Sequence, residues 1–159
     1  MGTRKVIEEL ENRYAEMQKE IGVKTSLDEL DEVFFIRDMV QQNRFVSTSL
    51  SRMVCARIRD TFTQWIGQLH SWLVPNPQNL LSVGENGLFD EEEKNDIMQL
   101  INTYMAFITE NVVIGLSKDK EKEREFIDNA LVLWNANKDK LIHYTTKVHE
   151  HWKAHAPQE

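Results

Sequence analysis

Apolar residues recur along this chain at intervals of three and four, the spacing that lines one face of an α-helix. The clearest case lies within residues 49–74. There Val54, Ile58, Phe62, Trp65, Leu69 and Trp72 follow at steps of 4, 4, 3, 4 and 3, with no Gly or Pro before Gly67. Upstream, Ile7, Leu10, Tyr14, Met17 and Ile21 repeat in a 3-4-3-4 pattern. That pattern is like a short coiled-coil seam and predicts a helix over residues 3–21. Gly22 stands where a left-handed residue would end it.

A capping box comes next. Ser26 as N-cap and Glu29 can satisfy each other's exposed backbone N–H, which predicts a second helix from Leu27. Asp28, Glu29, Asp31 and Glu32 crowd its first turns, where the positive end of the helix dipole favours acids. Val33, Phe34, Phe35 and Ile36 then make one full turn apolar on every side. A bundled helix needs only one buried stripe, so this run predicts either deep burial or a second interface. Asn43 is a poor helix former, and Ser47, Thr48 and Ser49 are good N-caps. A connection or kink is expected at residues 43–48, the alternative being one bent helix from 27 to 74.

Val74-Pro75-Asn76-Pro77 ends the third helix, and residues 75–89 are the one long irregular segment. Leu80, Leu81, Val83, Leu88 and Phe89 within it predict a crossover packed down over one end of the fold. Asp90 and Glu93 repeat the capping-box pattern and open a fourth helix. Its stripe is Ile97, Leu100, Ile101, Tyr104, Ile108 and Val112, and Gly115 and Ser117 end it. A mixed-charge run over residues 118–125 leads into the fifth and longest helix. Its seam is Ile127, Ala130, Trp134, Asn137, Leu141, Thr145, Val148 and Trp152. The expected fold is all-α, an antiparallel helical bundle of four long helices plus one accessory helix, with a long crossover at 75–89. Residues 1–159 form a single domain in this reading.

Composition sharpens the picture. Six Gly and three Pro are too few to punctuate a sheet, and 41% apolar with 28% charged residues is a globular balance. A net charge of −7 and a pI near 5.3 disfavour bulk attraction to nucleic acid or an anionic membrane. The single cysteine, Cys55, can form no internal disulfide and suggests a reducing compartment and a buried thiol. The opening Met-Gly-Thr-Arg-Lys-Val lacks the apolar stretch of a signal peptide and the hydroxyl residue that myristoylation needs. No segment reads as a membrane span. A cytoplasmic protein is expected.

Three kinds of cluster could carry chemistry. Arg44, Arg52, Arg57 and Arg59 precede the next acid, Asp60. Arg52 and Arg59, seven apart, share a helix face that could hold a phosphate; the alternative is that they pair with nearby acids. Among the acids, Glu29-x-x-Glu32, Glu93-x-x-Asp96 and Glu125-x-x-Asp128 each place carboxylates one turn apart, as metal-binding bundles do. The first two resemble the paired acidic motifs of the all-α nucleotide pyrophosphohydrolases, although their separation is much longer here. That resemblance implies a divalent-metal-dependent hydrolase using Glu29, Glu32, Glu93 and Asp96. Two of the three clusters also sit in first turns, where the helix dipole accounts for them. His151 and His155 are four apart but have no third ligand nearby. Cys55 has no local base, His70 being fifteen residues on, and no phosphate-binding loop or Ser elbow is present. No cofactor is called for.

The surplus apolar surface at Val33, Phe34, Phe35 and Ile36, with Val113 on the fourth helix, predicts an interface. Asn137, polar within an apolar seam, suits a register or partner selector. The four tryptophans fall on helical stripes and read as core. The leading expectation is a non-catalytic interaction or assembly module, self-associating as a homodimer or joining a helical partner. The metal-dependent hydrolase and a nucleic-acid-binding helical module are the alternatives.

Overall fold

The computed structural model describes residues 2–157. Among them are seven helices and no strand: α1 (Thr3–Ile21), α2 (Leu27–Phe34), α3 (Ile36–Asn43), α4 (Leu50–Leu73), α5 (Leu80–Asn86), α6 (Glu91–Ser117) and α7 (Lys120–His155). The all-α class is as expected. Four helices are long, at 19, 24, 27 and 36 residues for α1, α4, α6 and α7. Three short helices stand where one accessory helix was expected.

The local signals act as their chemistry requires. Gly22 ends α1 with φ 80°, a left-handed conformation open to glycine without strain. Both capping boxes form: Glu29 N–H donates to Ser26 Oγ and Glu93 N–H to Asp90 Oδ1, and each glutamate accepts in return from its N-cap N–H. The connection expected at 43–48 appears as residues 44–49, so 27–74 is not one bent helix.

The α4 helix is the hub. It packs most extensively on α6 and also meets α1, α2, α5 and α7. Phe62 on α4 lies at the centre of the core, with the rings of Phe34, Tyr104, Phe107 and Trp134 between 4.9 and 6.2 Å away. Edge-on and tilted aromatic pairs of this kind add to simple area burial. Asp128 on α7 fixes the α1–α2 linker: Lys24 N–H, Thr25 N–H and Thr25 Oγ1 all donate to its carboxylate at 2.9–3.2 Å. Tyr14 donates its hydroxyl to Thr25 O at 2.6 Å. Burial, with Asp128 and Glu29 near it, holds that phenol well above its ordinary pKa.

Several expectations need correction. Along α7, Tyr144 is buried where the seam was expected to place Thr145, and Trp152 is exposed rather than core. The apolar turn at 33–36 is not one turn of helix, because the chain breaks at Phe35. In the 75–89 segment, Asn79 caps the short helix α5 through Leu81 and Ser82 N–H. Leu80, Leu81 and Val83 are exposed rather than packed down; only Phe89 is buried, with Leu88 partly so. On α6 the inward face runs Ile97, Leu100, Ile101, Tyr104, Phe107, Asn111 and Ile114, so Val112 points outward. The α6 helix is also, among the described residues, the one helix long and apolar enough by length and composition to cross a membrane.

Candidate interaction surface

The site begins at the break. On a continuous helix, residues 34 and 36 would lie about 200° apart and could not both face one core. Phe35 adopts φ 54° and ψ 50°, which ends α2 and restarts the chain as α3. Phe34 and Ile36 are both fully buried as a result, and Phe35 is left 52% exposed. The break has its own support. Asp31 accepts from Arg37 N–H at 2.8 Å and Arg37 Nη1 at 3.2 Å, and so caps α3 from within α2. Arg37 Nη2 donates to Asp28 at 2.7 Å. A left-handed conformation costs a non-glycine residue roughly 1–2 kcal/mol. Glycine would make the turn without that cost; what phenylalanine adds is its ring.

That ring stands at the edge of a groove of about 520 Å³ between α2, α4 and α7. Glu32, Val33 and Phe35 form one wall, Arg57, Thr61 and Trp65 the floor, and Trp134 and Lys138 the other wall. Past the two tryptophans the groove continues for about 310 Å³ along Leu141, Ile142 and Thr145. Trp65 and Trp134 are half-buried, their ring centroids 6.4 Å apart. Arg57 is set by its own hydrogen bond, Nε donating at 2.7 Å to Phe34 O, a carbonyl freed where α2 ends. The groove therefore offers aromatic surface flanked by two cations and one acid. Aromatics with arginine are the composition of protein-binding hot spots.

The other sequence candidates are dispersed. Of the expected interface residues, Val33 and Phe35 line this groove and Val113 lies exposed on α6. Phe34 and Ile36 are consumed by the core and leave the candidate surface. Asn137 donates to Leu133 O one turn back on its own helix, which leaves its amide making no bond across the fold. Asn111 on α6 is instead a polar residue buried in the core, and its Oδ1 has no partner among the described residues.

Arg52 and Arg59 do not share an anion site. Arg52 reaches Glu123 at 3.4 Å and Asn111 O at 3.4 Å, and Arg59 pairs with Asp60 at 2.9 Å. Glu123 is only 2% exposed and also meets Lys120 at 3.4 Å.

Three of the four acids of the hydrolase reading have partners of their own, and the fourth, Glu32, lines the groove. Glu29 caps α2. Glu93 accepts from Lys147 at 2.7 and 2.9 Å, and Asp96 from Lys140 at 2.8 Å and from the Tyr144 hydroxyl. The Lys147 bond, chiefly, holds Glu93 below its ordinary pKa. Partial burial of Asp96 opposes ionisation, but Lys140 and Tyr144 outweigh it and the carboxyl is held low. Among the described residues no three His, Cys, Asp or Glu side chains converge as a metal site. Cys55 is buried, and burial foremost pushes its thiol up to about 12, away from nucleophilic use.

Sequence reasoning assigned Trp65 and Trp134 to the core, named Arg57 only as one of four arginines in a basic patch, and passed over Lys138. The available signal was the run at 33–36, which had more apolar side chains than a core stripe can use. In comparisons with known proteins, no protein-family model, curated protein or solved structure matches this chain.

Proposed function

We propose that this chain is a non-catalytic interaction and assembly module, built on an antiparallel bundle of α1, α4, α6 and α7, that docks an amphipathic helical segment in the Phe35–Trp65–Trp134 groove. One observation carries the reading: a phenylalanine held left-handed at a cost, with its ring half in solvent beside two half-buried tryptophans. The cations Arg57 and Lys138 against the single acid Glu32 favour a segment whose apolar face is flanked by acidic residues. A cytoplasmic setting fits the lone buried thiol.

The test is a titration with two synthetic helical peptides that share a Leu and Trp-free apolar face, one flanked by Glu and one by Lys. The Glu-flanked peptide is expected to shift the tryptophan emission saturably and to bind about tenfold more tightly than its partner. Lys138→Glu should reverse that preference. No saturable response to either peptide, or a preference untouched by Lys138→Glu, would count against the reading.

A further inference from the structure

A second surface, distinct from the groove, lies on the outward side of α6. Met98, Asn102, Met105, Thr109, Val112 and Leu116 all point to solvent and follow at steps of 4, 3, 4, 3 and 4, the a/d register of a coiled-coil seam. From Ile97 to Ser117 the only charge is Glu110, which stands off this line. The flanking positions Gln99, Ala106 and Val113 are likewise uncharged. Thr109 turns its hydroxyl back to Met105 O at 2.7 Å, which leaves its methyl group outward. Only 33% of the apolar stretch of this helix is buried inside the subunit. Depletion of charge over a strip about 27 Å long marks an interface core rather than a solvated face.

We infer that the occupant is a second copy of this chain, joined α6 to α6 in a parallel, in-register pair. The inference rests on the reading of the chain as an assembly module, but on a separate surface. An uncharged strip is matched by another uncharged strip, and a second copy supplies one of equal length. In the parallel register Asn102 meets its twin and Thr109 its twin, so polar groups face polar groups. An antiparallel pairing over the full strip would set Asn102 against Val112 and strand a buried amide. The opposite side of α6 carries Ile97, Tyr104 and Ile114 fully buried. Inserting α6 into a bilayer would therefore dismantle the core, which sets a membrane aside as the occupant.

The experiment uses the full chain and two variants. Asn102→Cys introduces an exposed thiol on a chain whose natural cysteine is buried, and mild oxidation should link most of the protein as a disulfide dimer. Met105→Glu with Val112→Glu should keep the wild-type circular dichroism spectrum and weaken dimerisation by roughly 100-fold or more in sedimentation velocity, because charges would be buried unpaired. A wild-type dimer that survives the double substitution, or one that fails to link through position 102, would overturn the inference. So would partition of the wild type onto phosphatidylcholine vesicles in place of dimer formation. The peptide response of Trp65 and Trp134 should be the same in the double variant, so failure here is read apart from failure at the groove.

Discussion

Phe34 and Phe35 are neighbours of the same type, and the break between α2 and α3 gives them opposite energetics. Truncating Phe34 to Ala empties a fully buried site beside Phe62. Such a cavity costs about 3–5 kcal/mol. Replacing Phe35 with Gly has three effects that oppose one another. It relieves about 1–2 kcal/mol of left-handed strain, forfeits roughly 1 kcal/mol for a half-buried ring, and adds about 0.5–1 kcal/mol of backbone entropy to the unfolded chain. The balance lies within about 1 kcal/mol of zero. In a chain of this size about 1 kcal/mol moves Tm by roughly 2–4 °C. Phe34→Ala should therefore lower Tm by about 6 °C or considerably more, and Phe35→Gly should leave it within about 4 °C. Thermal and urea unfolding followed by far-UV circular dichroism read both variants. A Phe35→Gly loss as large as that of Phe34→Ala would show that residue 35 is packed in the core and refute the reasoning. Phe35→Gly should also weaken the Glu-flanked peptide, since it removes the ring and spares the fold.

Three further outcomes are expected. Asp128→Ala should cost about 2–3 kcal/mol in urea unfolding, since it frees three donors of the linker around Thr25; a loss indistinguishable from zero would show that the clamp does not hold the linker. Glu93 and Asp96, held below their ordinary values of 4.5 and 3.8, contribute stability above those values and lose it as pH falls through their lowered folded ones. Lys147→Met should accordingly reduce the difference in unfolding free energy between about pH 7 and about pH 3, and an unchanged pH profile would contradict the Lys147–Glu93 pairing. Cys55, buried and with its thiol raised to about 12, should react with a disulfide reagent near pH 8 only as fast as the protein opens. Rapid stoichiometric labelling of the folded protein would place the thiol at the surface.

The parts of the fold legible in the sequence were those decided within a turn or two of chain. The α1 stripe, Gly22 and both capping boxes depend on residues three or four apart. The structure forms the capping boxes and the Gly22 stop. It buries Leu10, Tyr14 and Met17 of the stripe, with Val6 in place of Ile7 and Ile21 only partly covered. The break at Phe35 was not legible because nothing local demands it. No Gly, Asn or Pro marks the position, and what forces it is the need to bury both Phe34 and Ile36 against α4 and its neighbours. Its cap, Asp31, looked like one more acid in a first turn. The phase of α6 failed for a related reason. A drift of one residue along a long helix exchanges Ile108 and Val112 for Phe107 and Asn111 on the inward face. That drift uncovers Val112 and creates the outward seam with Met98 and Met105. Exposed leucines on α5 show the same limit, since apolar composition in a connection does not say which side of it meets the core. The groove was half legible: Val33 and Phe35 stood out as surplus, but Trp65 and Trp134 are distant in sequence and read separately as core.

Mass in solution tests most directly whether this chain is an assembly module. Multi-angle light scattering across a concentration series should show a species of twice the 18.7 kDa chain at high concentration, falling toward 18.7 kDa on dilution. A mass of 18.7 kDa at every concentration up to about 1 mM would contradict self-association through α6.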